Sequence, residues 1–143
     1  MPEQLTADER LGVFDLIADY ADRLESGDLD GYLETFTPDG VFEVRGARYE
    51  GREAIRALVT HLYEIDQDGP TGNRHILGLP AVRGTAEGCA ARTYVMITTA
   101  GARPAAPIHT IAQYHDRIVW RDGRWRFAHR HILPVVDRQG SAR

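Results

Sequence analysis

From Arg74 onward the chain reads as four strand-like runs, near 74–84, 87–99, 107–121 and 124–135, parted only by Gly-Thr-Ala-Glu, Ala-Gly-Ala-Arg-Pro and Arg121-Asp122-Gly123. Connections this short cannot carry a chain back to start a parallel neighbour, so the four runs must be antiparallel. Runs of 11 to 15 residues exceed the usual strand, so the sheet must twist or bend.

The first half has a different texture. Leu11, Phe14, Ile17, Ala18, Ala21 and Leu24 recur at spacings of three and four, predicting a helix over 8–25 with Asp8, Glu9, Asp15 and Asp19 outside. Thr6 or Asp8 can cap it, Gly27 stops it, and Asp28 can cap a short second helix at 29–36. Pro38-Asp39-Gly40 predicts a turn and Val41-Phe42-Glu43-Val44 a short strand. Residues 52–64 carry Ile55, Leu58, Val59 and Leu62 on one helical face, and Asp66 to Gly72 reads as a loop. Helices at about 7–65 followed by an antiparallel sheet at about 74–135 predict one α+β domain over 1–143. The 43 % hydrophobic content is enough for a sizeable core.

Composition excludes whole classes of chemistry. All 17 basic residues are arginine, so no lysine is available for a Schiff base, a pyridoxal linkage or a phosphate loop. A single cysteine, Cys89, can make neither an internal disulfide nor a thiolate metal cage, and a reducing cytoplasmic setting is expected. No run approaches the roughly 20 apolar residues of a membrane span. Residues 1–70 hold 17 acids against 6 arginines, while 71–143 hold 4 acids against 11 arginines. Those arginines are scattered singly through apolar segments, which argues against a nucleic-acid surface. His129 and His131 alternate on one strand face and His115 precedes Asp116, but this is at most half of a metal site, and no metal is expected.

What remains is acid–base chemistry. His75 stands at the start of a strand among Ile76, Leu77 and Leu79, where an imidazole can serve as an acid or base or as a satisfied core residue. On the first helix Tyr20 and Glu25 flank the apolar stripe, and Asp22 lies further towards solvent. Tyr94 and Tyr114 each sit within a strand, where a phenol can donate to a substrate oxygen or simply pack.

The segments DYADRLESGDLDGYLETFTPDGVFEV, YEGREAI, NRHILGLPAV and YHDRIVWRDGRWRFAHR resemble the nuclear transport factor 2-like superfamily, in particular its SnoaL-like branch of dehydratases, isomerases and polyketide cyclases. The resemblance implies a cone-shaped barrel, a bent and mostly antiparallel sheet wrapped against three helices, with an apolar pocket at one end and commonly a homodimer. It assigns His75 as general base or acid, Glu25 or Asp22 as its carboxylate partner, and Tyr20 as a hydroxyl donor to a carbonyl oxygen. Tyr94 or Tyr114 would add a second donor, and Val44, Leu77 and Met96 fall at pocket-lining positions. The strand acid or histidine of some relatives lands near Met96 or Ile97, and the isomerase's aspartate base at Val44. The expectation is a cofactor-free dehydratase or cyclase of a small hydrophobic polyketide, aromatic or steroid-like compound. An arginine-only, alanine-rich composition suits secondary metabolism. A non-catalytic small-ligand binder and an epoxide hydrolase are the alternatives.

Overall fold

A computed structural model describes residues 4–65, 72–99 and 108–137. Residues 66–71 of the loop expected from Asp66 to Gly72, and the connection Ala-Gly-Ala-Arg-Pro, lie outside the described residues.

The first helix, α1 (Ala7–Ser26), starts at Thr6, whose hydroxyl accepts from the Glu9 N–H at 3.2 Å while the Glu9 carboxylate accepts from the Thr6 N–H at 2.7 Å. This reciprocal cap satisfies two amides that no helical carbonyl can reach. Gly27 ends the helix in the left-handed conformation, at φ 78°, where a side chain would be strained. The buried face is Val13, Leu16, Ile17, Tyr20 and Ala21. It is rotated from the expected stripe, leaving Leu11 59 % exposed and carrying Tyr20 from the border into the core.

Asp28 caps α2 (Leu29–Glu34) by accepting from the Gly31 N–H at 3.0 Å. The chain then enters β1 (Phe36–Val44), longer than the strand expected at 41–44. Pro38-Asp39-Gly40 is a register shift inside β1, between Phe36 and Val41, instead of a turn. The hairpin partner β2 (Ala47–Glu50) precedes α3 (Arg52–Ile65), whose Ile55 and Val59 are buried. The expected run at 74–84 is two strands, β3 (Asn73–Leu77) and β4 (Ala81–Thr85), broken at Gly78-Leu79-Pro80. Then come β5 (Gly88–Thr99), β6 (Ile108–Arg121) and β7 (Arg124–Asp137), with Asp122 and Gly123, both at positive φ, turning β6 into β7.

The sheet runs β2-β1-β7-β6-β5-β3, with β4 also paired to β5. Every pairing is antiparallel except β1 with β7, which is parallel. Register shifts at Ile97/Thr98, Ile111/Ala112 and Arg117/Ile118 interrupt the long ladders, and such bulges bend strands. The result is an α+β fold with a curled, open sheet around which three helices pack, as the resemblance implied. None of the described helices is long and apolar enough to cross a membrane.

Cross-strand register sorts the inner face into rows. Leu77, Val95 and Ala112 form one. Thr93, Tyr114, Ile132 and Val44 form the next. Ala91, Asp116, Arg130 and Phe42 form a third. Beneath them Tyr20, Tyr32, Phe36 and Phe127 pack ring to ring with centroids 4.9–6.2 Å apart. Each such burial stabilises by about 1.5–3 kcal/mol, so these rings anchor the helices to the sheet.

Candidate functional site

The C-terminal end of α1 meets β3, and there Glu25 and His75 join. Nδ1 of His75 lies 3.0 Å from Oε1 of Glu25, and the same oxygen accepts from the His75 backbone N–H. A carboxylate on Nδ1 holds the proton on that nitrogen and leaves Nε2 with a free lone pair, the arrangement of a general base. The His75 side chain is 11 % exposed and that of Glu25 21 %, so the pair is sheltered but reachable. Burial acts to raise the Glu25 pKa, but hydrogen bonds from the His75 ring and backbone, with the charges of His75 and Arg74, outweigh it and hold the carboxyl below its ordinary value.

Asp22 does not take part: one turn earlier on α1, it is exposed to solvent. Of the two helix carboxylates held open in the sequence, Glu25 is the one in contact with His75.

Tyr20 is 2 % exposed and lies in the aromatic core, its ring 5.8 Å from that of Tyr114. Burial raises its pKa, partly offset by the charge of Arg130 and by a hydrogen bond from Tyr32. Tyr114 is fully buried on the inner face, and its hydroxyl has no hydrogen-bond partner. Its pKa is pushed well up by burial, with the charges of Tyr20, Asp116 and Glu25 adding to the rise. The hydroxyl of Thr93, directly across from Tyr114, is likewise buried and unpartnered.

Two expected lining residues fall elsewhere. Tyr94 and Met96 point to the outer face, 58 % and 38 % exposed, because strand alternation turns Thr93, Val95 and Ile97 inward. Val44 and Leu77 do face inward, half-buried against the core.

The sequence reading overlooked an ion pair below Tyr114. Arg130, wholly buried, donates through Nε and Nη2 to both oxygens of Asp116, at 2.8 and 2.7 Å. Its guanidinium carbon stands 3.9–4.2 Å from the ring centroids of Tyr20, Tyr114 and Phe127. Desolvation would drive a proton off a buried guanidinium, but Asp116 reverses this and raises the Arg130 pKa, so the pair remains charged. The signal was in the alternation: Tyr114, Asp116 and Ile118 share one parity on β6 and must share one face. Arg130, Tyr114, Phe36 and Phe127 fill the inner face at this level.

On the outer face His129 Nε2 lies 2.9 Å and His131 Nδ1 3.7 Å from Oε2 of Glu43, and His115 Nε2 lies 2.6 Å from Gln113 Oε1. Among the described residues no three histidine, cysteine or acidic side chains are placed to hold a metal ion.

The SnoaL-like domain family matches residues 6–131, and the chain belongs to it. Among solved structures it is similar to Rv3472 from Mycobacterium tuberculosis, a protein of unknown function: 26 % identity, TM-score 0.80, covering 92 % of this chain and 75 % of that one. ActVI-ORFA from Streptomyces coelicolor shares 21 % identity at a TM-score of 0.80, covering 90 % and 96 %. A protein from Novosphingobium aromaticivorans named for scytalone dehydratase shares 17 % identity at a TM-score of 0.76, covering 96 % and 94 %. The last two likenesses establish the fold alone. No curated protein matches the sequence.

Proposed function

We propose that this SnoaL-like domain is a cofactor-free acid–base enzyme, a dehydratase or cyclase of a small hydrophobic polyketide, aromatic or steroid-like compound. The observation that carries the reading is the hydrogen-bonded pair of Glu25 and His75 at the end of the inner face. Membership of a family that includes cyclases and dehydratases supports it. The enzyme would act as a cytoplasmic homodimer in secondary metabolism.

In this reading Nε2 of His75 takes a proton from the carbon next to a substrate carbonyl, and the C–H electron pair moves into the enolate. Glu25 stabilises the imidazolium through Nδ1–H. Tyr20 and Tyr114 donate hydrogen bonds to the oxygen on which charge develops, in a site where burial strengthens each bond. For a dehydration the enolate then expels a β-hydroxyl, which leaves as water with the proton from Nε2. For a cyclisation the enolate carbon attacks a second carbonyl in the same molecule, whose oxygen takes that proton.

The test is native mass spectrometry of the protein incubated with hydrophobic polyketide and steroid extracts, comparing wild type with His75→Ala. A product lighter by one water, absent with the variant, supports a dehydratase centred on His75. A product of unchanged mass that persists with His75→Ala removes the base role, and ligand recovered unchanged from the wild type overturns the enzyme reading.

A further inference from the structure

The outer face of the sheet carries a groove of about 620 Å³ over β4, β5, β6 and β7 that the proposed chemistry does not use. That volume lies within the range of small-molecule sites. Its basic lining is Arg83, Arg92, Arg117, His115, His129 and His131, and Asp116 is the acid among its lining residues. The arrangement follows from register. Arg83 on β4 and Arg117 on β6 both stand directly across from Ala90 on β5, and Arg92 is the next residue of β5 on the same face. Three guanidinium groups therefore surround one methyl group, which leaves a floor beneath three long donors. In the adjoining row Arg92 is opposite His115, and His115 is opposite His131.

Nearby acids do not neutralise it. Among the described residues, Arg83 and Arg92 have no ion-pair or hydrogen-bond partner. Arg117 has only Glu87, 3.6 Å away, both side chains more than half exposed. Glu43 serves His129 and His131 and is also engaged by Arg48 at 3.1 Å. Asp116, next to His115 in sequence, turns its side chain to the inner face and gives both oxygens to Arg130.

We propose that this groove is a binding site for a small phosphate-bearing anion, a phosphomonoester or a diphosphate, held by Arg83, Arg92 and Arg117 and flanked by the three histidines. Planar guanidinium forks match phosphate oxygens in pairs, and a doubly charged anion supplies the countercharge that this face lacks. Protonation is linked to occupancy. The His115 pKa lies below its ordinary value through burial and the charges of Arg92 and His131, against a smaller opposing pull from Asp116. A bound dianion favours the imidazolium, so binding strengthens as pH falls through the histidine range.

Inorganic pyrophosphate is the probe, titrated into the full chain at low salt by calorimetry while the histidine ring protons are followed by NMR. The expected result is saturable binding, a rise in the His115 pKa on saturation, and at least about a tenfold loss of affinity in Arg92→Gln/Arg117→Gln. Arg92→Lys/Arg117→Lys, which keeps the charge, should recover part of it. His75→Ala should bind like wild type, because His75 is on the other face of the sheet; failure of the proposed enzyme activity would leave this result untouched. No saturable heat, equal affinity in the glutamine variant, or sedimentation showing that only a dissociated monomer binds because a second copy covers the groove would each overturn the proposal.

Discussion

One residue apart on β7, Arg130 and His129 meet opposite fates. Arg130 faces inward, is wholly buried, and has both oxygens of Asp116 and three aromatic rings around it. His129 faces outward into a groove where cations outnumber the acids in contact with them. Inside, where water cannot screen, an uncompensated charge is intolerable, and the fold answers with a bidentate partner. Outside, water screens the row, so the fold can carry unbalanced charge at small expense and keep it for a ligand. The same strand alternation that builds the core thus also builds a charged surface.

The comparison breaks most visibly at Asp116. Asp116→Ala leaves a buried guanidinium without its partner, and urea unfolding should show a loss of about 3–5 kcal/mol. Asp116→Leu combined with Arg130→Met should recover most of it; no recovery would mean that the pair's contacts to the tyrosines, and not its charge balance, hold this layer.

Glu25 sharpens the contrast at the sheltered end. Its folded-state pKa lies below the unfolded one, so it contributes stability that is present at neutral pH and lost as acid carries the pH below the ordinary carboxylate value of 4.5 towards the folded value. Glu25→Gln should flatten that part of the acid limb when unfolding is measured across the range. An unchanged limb would show that the contact with His75 makes no net contribution.

Tyr114→Phe removes a buried hydroxyl that has no partner. Unfolding free energy should stay constant or rise by up to about 1 kcal/mol, while turnover of any accepted substrate falls. The smallest effect is expected at Glu43, half-buried at the outer face and shared among His129, His131 and Arg48. Glu43→Gln should leave the unfolding curve close to that of wild type, since ion pairs at a water-facing surface add little.

Local signals carried far. Helix caps at Thr6 and Asp28, the stop at Gly27 and the Asp122-Gly123 hairpin all stand where residue chemistry places them. What could not be read was non-local. The pairing of β1 with β7 joins segments with no sequence signal in common, and that pairing turns Pro38-Asp39-Gly40 from a turn into a bulge. Tyr94 and Met96 were misplaced because both parities of β5 carry apolar residues, so alternation alone leaves its facing ambiguous. The pairing of Glu25 with His75 was legible only through family resemblance, since 50 residues separate the two. Asp116 and Arg130 were passed over because each, taken singly, looks like an ordinary surface charge.

The parallel seam between β1 and β7 also governs the order in which the chain can assemble. Phe36 must find Phe127, and the Thr35 carbonyl must accept from the Phe127 N–H at 2.8 Å, across most of the sequence. The β6–β7 hairpin, by contrast, closes around a two-residue turn and needs almost no search. Loop-closure entropy therefore places the hairpin early and the seam late, making β1 the kinetic bottleneck. Until the seam forms, one edge of β7 stays unpaired and sticky, so during synthesis the interval before β1 docks is when this protein is most exposed to aggregation.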